Sequence, residues 1–275
     1  MKRLRPLNDV IFKKLFGEKK DKHLLISFLN AILNYDIVDV DIQEEKLTKE
    51  TLDSKQGILD IKAKTYAGEK INIEVQLLNQ YNMIQRTLFY WSKLYTENFK
   101  TKGNYKDLSK TVTINLLGFT LFEESPYHTT YHLYEDTSKQ RLNDLLEIHF
   151  IEFPKFEQID KNLHNSLHCW LLFLKGDIAD SLLKEVIQMD ELIQQANDKL
   201  MFLASDDETR RLYELREKHL SDEITRIEGA KEEAASIKAK EIAVKLLKMG
   251  HSVDSICELT GLSKEEIEEI KHKSN

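Results

Sequence analysis

Two runs of alternating polarity, residues 56–66 and 71–78, constrain this chain more than any other feature. Successive side chains of a strand point to opposite faces. Asn72, Glu74 and Gln76 therefore share one face, and Ile71, Ile73, Val75 and Leu77 the other. Along the first run Asp60, Lys62 and Lys64 are polar, while Leu59, Ile61 and Ala63 are apolar. A short turn at Ala67-Gly68-Glu69 joins the runs into an antiparallel hairpin. A three-residue loop there sets Tyr66 opposite Lys70, Lys62 opposite Glu74 and Asp60 opposite Gln76. A two-residue loop would mix the faces, which register rarely tolerates. The expectation is one polar cluster of Asp60, Lys62, Glu74 and Gln76.

Around the hairpin the pattern predicts an α/β fold. Asn8 or Asp9 can cap a helix carrying Ile11, Phe12, Leu15 and Phe16, interrupted near Gly17 and resumed through Leu24, Phe28 and Ile32. Val38 to Ile42 alternates as a half-exposed strand does. Residues 81–99 return to helical spacing, and 111–119 suit a buried strand. Residues 127–134 and 147–153 read as further strands. The order is α-β-β-β-α-β, followed by an all-helical region from about 160. Within it, 206–249 is charged, lacks Pro and reads as one or two long helices. Nine Gly and three Pro in 275 residues argue against a sandwich or propeller full of tight turns. The expected domains are 1–155, a helical region over 156–249, and a small helix-turn-helix-like tail over 250–275.

The net charge of −7 argues at first against a nucleic-acid partner. Divided by segment it says otherwise. Residues 1–120 hold twenty Lys/Arg and fifteen Asp/Glu, whereas 121–275 hold twenty and thirty-two. The hairpin lies in the net-positive part. Two carboxylates on neighbouring strands repel unless a cation or proton sits between them. A hard divalent ion such as Mg²⁺ takes oxygen ligands, keeps waters, and can activate one of them against a phosphodiester. The plainer alternative is a solvent-facing hairpin with a Lys62–Glu74 ion pair.

Asp60 followed by Glu74-Val75-Gln76 on the next strand, flanked by helices, resembles the PD-(D/E)XK nuclease superfamily. More closely the chain resembles its recombination-promoting nuclease and transposase family. The matching segments are Asn8-Asp9-Val-Ile-Phe-Lys-Lys-Leu-Phe-Gly17, Gly57-Ile-Leu-Asp-Ile-Lys-Ala63, Asn72-Ile-Glu-Val-Gln76, Arg86-Thr-Leu-Phe-Tyr-Trp91, Gly103-Asn-Tyr105, Thr113-Ile-Asn-Leu-Leu117 and Ile256-Cys-Glu-Leu-Thr-Gly-Leu-Ser263. The resemblance implies a restriction-endonuclease-like core and a metal-dependent DNA endonuclease linked to recombination or mobile elements. Asp60, Glu74 and the Val75 backbone carbonyl would be the metal ligands. Gln76 stands where the superfamily has Lys, and a neutral amide supplies no positive charge. Lys62 is the candidate replacement cation, with a solvated strand lysine as its alternative. Asp9 either helps hold the metal or a coordinating water, or simply caps its helix. Arg86 and Tyr90, four apart on one helix face, either contact phosphate or pack.

Other features carry less. His164, His168 and Cys169 have no third metal ligand and read as helix-face residues, and His128 and His132 as strand residues. The helix after Gly261 reads Lys264-Glu-Glu-Ile-Glu-Glu-Ile, and its four glutamates favour a protein interaction over DNA reading. The expected partners are DNA and a second copy through the C-terminal helices. Neither a signal peptide nor a membrane span is expected, and two distant cysteines suit a cytoplasmic protein. The competing classes are a DNA-binding recombination accessory and a structural interaction protein.

Overall fold

The fold is described from a computed structural model, which covers residues 3–33, 35–43, 61–97, 99 and 103–274. Asn8 caps the first helix, its side-chain oxygen accepting from the backbone N–H groups of Val10 and Ile11 at 3.1 and 3.4 Å. This helix, α1 (Asp9–Phe16), ends at Gly17 and is followed by α2 (Lys22–Leu33). Their apolar stripes bury Phe12, Phe16 and Phe28 together, with ring centroids 4.8–6.1 Å apart. That is the expected interruption at Gly17.

Three strands follow: β1 (Val40–Gln43), β2 (Ile61–Thr65) and β3 (Lys70–Gln76). Helix α3 (Met83–Thr96) crosses to β4 (Thr111–Leu117), and β5 (His128–Tyr131) precedes β6 (Leu146–Glu152). The sheet order is β1-β2-β3-β4-β6-β5. The β1–β2–β3 pairs and the β6–β5 pair are antiparallel, while β3–β4 and β4–β6 are parallel. β4 and β6 are buried along their whole length, as central parallel strands covered on both faces must be.

Beyond β6 the chain forms α4 (Phe153–Gln158), α5 (Ser166–Lys175), α6 (Asp180–Met189), α7 (Glu191–Ser205) and α8 (Asp207–Lys248). Trp170 of α5, Val186 of α6 and Leu200 of α7 join the cluster formed by α1, α2 and the Ile71/Ile73/Val112/Ile114 face of the sheet. The other face meets α3 through Met83, Leu117, Ile148 and Phe150. Gly176 ends α5 in the left-handed conformation (φ +68°), and a Cβ there would stand 2.8 Å from Pro6 Cδ. Gly176→Ala is therefore expected to cost about 1–2 kcal/mol, read as a lower urea midpoint with unchanged slope.

The chain divides into two compact units, Met1–Glu217 and Lys218–Asn275. The second holds the rest of α8 with α9 (Val253–Thr260) and α10 (Lys264–Ser274). Its small core is Ala243, Ile256, Leu262 and Ile267. A reciprocal cap starts α10: Ser263 N–H donates to Glu266 Oε2 at 2.9 Å, and Glu266 N–H to Ser263 Oγ at 3.2 Å. Among the described residues no helix is long and apolar enough to cross a membrane.

Candidate active site

The hairpin forms, with its register moved by two residues from the expectation. Lys62 pairs with Asn72, Lys64 with Lys70 and Ile61 with Ile73, so Lys62 does not stand opposite Glu74. The cause is the turn. Thr65 N–H donates to Glu69 O and Gly68 N–H to Thr65 O, both at 2.9 Å, closing a loop over Tyr66, Ala67 and Gly68. Gly68, at φ +90°, takes the last loop position, where a three-residue hairpin needs the left-handed conformation. A shift of two keeps every side chain on its face while changing its partner.

The polar face is not exposed to solvent. Asn72 is 3% and Glu74 1% exposed, because α3 lies across them. Three contacts fix that helix to the sheet. Thr87 Oγ1 donates to Asn115 Oδ1 at 3.2 Å, and Trp91 Nε1 to Thr111 O at 2.9 Å. Lys70 Nζ caps the C-terminal end by donating to the carbonyls of Leu94, Tyr95 and Glu97 at 2.8–3.2 Å. Arg86 is thereby aimed at Glu74, with Nε and Nη2 both 2.6 Å from Oε1. Its guanidinium also lies 5.4 Å from the Tyr90 ring centroid, so Tyr90 packs against the residue that holds Glu74.

Among the described residues, Glu74 Oε2 is buried without a hydrogen-bond partner, as are both ends of the Asn72 amide and Thr113 Oγ1. Buried polar atoms normally find partners. Burial pushes the Glu74 carboxyl above the usual carboxylate range, and Arg86 pulls it back in part. The oxygen left over by Arg86 is thus a hard donor that a cation would satisfy. Among the described residues no three His, Cys, Asp or Glu side chains are grouped to hold a metal. Asp60 lies outside the described residues; it directly precedes Ile61, whose partner is Ile73.

The remaining expected site residues sit as follows. Gln76 is half-buried and its Nε2 donates to Leu78 O at 2.9 Å. Val75 is half-buried and packs on the opposite face, against the main core. Asp9 is gripped by Arg216 of α8, with Nε 3.0 and 2.8 Å from its two oxygens and Nη2 2.5 Å from Oδ2. Capping belongs to Asn8, whose amide also donates to Glu217 Oε1 at 2.9 Å.

One polar cluster escapes sequence reading. On the sheet face away from Glu74, Glu147 Oε1 is 2.8 Å from His149 Nε2, and His149 Nδ1 is 2.9 Å from His128 Nε2. Lys110 Nζ stands 2.9 Å and His132 Nε2 3.3 Å from Glu147 Oε2. Burial and the neighbouring His149 press His128 down to about 4. Burial works to raise Glu147, but the hydrogen bonds from His149 and Lys110 hold it well below the carboxylate range. The one sequence signal was period-two spacing of Glu147 and His149 on a predicted strand. His168, by contrast, is a packed helix residue, its Nδ1 accepting from Asn162 N–H at 3.0 Å.

A mixed sheet with helices on both faces, and a buried acidic residue on the second strand of its central hairpin, is consistent with the PD-(D/E)XK fold. The chain belongs to the PD-(D/E)XK nuclease family transposases, whose family model matches residues 6–230. Residues 237–272 match the C-terminal HTH domain of the Rpn/YhgA-like nuclease family, a domain type that suggests DNA binding. Comparisons with curated proteins and with solved structures gave no match.

Proposed function

We propose that the chain is a divalent-metal-dependent DNA endonuclease, with Mg²⁺ or a similar ion held by Asp60, Glu74 and the Val75 backbone carbonyl. The observation that carries this reading is Glu74 Oε2, a buried carboxylate oxygen without a partner among the described residues, beside one that Arg86 already saturates. When bound, such an ion polarises a phosphoryl oxygen and lowers the pKa of a bound water. Arg86 orients Glu74 and keeps positive charge at the site, where a phosphate would meet it. Lys62, one strand pair from Glu74 on the same face, carries a second positive charge. Gln76 can orient a water through its amide oxygen, or a phosphate through the second N–H of the amide whose first is engaged with Leu78. Asp9, already saturated by Arg216, acts here as a positioning residue. Residues 237–272 would add DNA affinity, and pairing through the C-terminal helices would bring two sites to the two strands.

The test is nicking of supercoiled plasmid by the purified chain with Mg²⁺, Mn²⁺ or Ca²⁺, and with a chelator. Divalent-dependent nicking abolished by the chelator is the expected result. The neutral Gln76 favours a second reading, a recombination accessory that binds DNA without cutting it. Salt-sensitive DNA binding with no nicking under any of the three ions would select it.

A further inference from the structure

The face of the hairpin that carries Glu74 continues into a cleft of about 360 Å³. That volume lies within the range of pockets that accept a small molecule or one nucleotide, roughly 300–1,000 Å³. Its walls include Lys62 and Lys64 from β2, Phe99, and the acidic Glu97 and Asp107. Lys70 also lines it, but its ammonium is committed to the end of α3. Lys62 and Lys64 make no ion pair among the described residues, and both share the face of Asn72 and Glu74. Phe99 stacks on Tyr105, which is not itself part of the lining, with ring centroids 5.3 Å apart and planes at 21°. Tyr105 is 79% exposed, so this pair offers an open aromatic face.

Two cations without an ion pair among the described residues, and an aromatic pair with an open face, match the two halves of a nucleotide. A phosphate is drawn to Lys62 and Lys64 and repelled by Glu97 and Asp107, which flank the aromatics in sequence. A base brings a π-face and exocyclic N–H groups, which those carboxylates accept. Bases inside a duplex are already stacked on both sides, so only an unpaired one can enter.

We propose that this cleft seats one unpaired nucleotide of the DNA strand, its base on the Phe99–Tyr105 pair and its phosphate on Lys62 and Lys64. The substrate is then DNA with an unpaired nucleotide beside the scissile bond: a single strand, a flap or an overhang. This rests on the nuclease reading, and its test reads binding instead of cleavage.

Fluorescence anisotropy of the full chain in chelator follows a short single strand, the same strand with abasic positions, and the blunt duplex. Each variant is compared on one DNA at a time, because the C-terminal unit contributes its own affinity. Tyr105→Ala is expected to weaken binding of the single strand about tenfold, with Tyr105→Trp restoring it. Binding of the abasic strand and the duplex stays at the parental level in both variants. Lys62→Gln with Lys64→Gln should flatten the salt dependence of single-strand binding by about 1.4 in slope. Displacement of the strand by dAMP in the parent but not in Tyr105→Ala supports the same seat. Equal binding of base-bearing and abasic strands, or parental single-strand affinity in Tyr105→Ala, overturns the proposal. Absence of nicking with these differences intact overturns the nuclease reading alone.

Discussion

Asp60→Ala and Glu74→Gln, made singly, are expected to lower divalent-dependent nicking by on the order of 10³-fold or more. The Gln substitution keeps the shape of the side chain and removes the charge, so the loss reports the charge. Arg86 then faces an amide in a buried position, and some thermal stability goes with it. Asp60→Ala supplies the cleaner arm, since activity and melting temperature are read on the same preparation. Nicking at the parental rate by either variant would sink the metal-ligand assignment. A fully active Asp60→Ala with inactive Glu74→Gln would leave Glu74 as a structural partner of Arg86.

Arg216→Ala should destabilise the first unit by about 3 kcal/mol at neutral pH, because it strands the Asp9 charge in a buried place. The pH dependence gives the claim its sign. Burial raises the Asp9 carboxyl above its ordinary value of 3.8, and Arg216 opposes that rise. A carboxyl whose pKa is raised by folding costs stability once pH exceeds its unfolded value, increasingly up to its folded one. Without Arg216 the folded pKa climbs further, so the penalty at neutral pH grows. It disappears on acidification through that window, as Asp9 takes up its proton. Urea unfolding at neutral pH and near pH 4 reads both ends. A gap between parent and variant that stays constant with pH would exclude the charge as the cause.

The face of each described hairpin residue was legible from alternation alone, and Glu74 stands on the face predicted for it. Register was not, since it turned on where Gly68 falls within a three-residue loop, and parity cannot see a shift of two. Arg86 could be placed on one helix face with Tyr90, but its grip on Glu74 depends on how α3 is pinned by Thr87, Trp91 and Lys70. The Glu147–His149–His128 chain was hidden for a different reason. It joins strands whose pairing follows from sheet order, and no local pattern encodes that order. Asp9 and Arg216 lie 207 residues apart, beyond any periodicity argument. At the other end of the scale, Ser263 and Glu266 are a capping box visible in four letters of sequence.

That last long-range pair has a consequence for how the protein is made. A ribosome releases α1 first and the base of α8 only after the sheet and the four helices behind it. Lys199, which reaches Leu15 O, Glu18 and Asp21, arrives late as well. Until then the opening helices lack the partners that cover their apolar stripe and neutralise Asp9. Folding of the first unit is therefore governed by contacts between its two ends, a slow topology by the rule that distant pairings cost entropy before they repay it. A nascent chain that already carries every residue of the candidate site still lacks the scaffold that would hold it, so nicking competence should follow synthesis of Arg216 and not of Arg86.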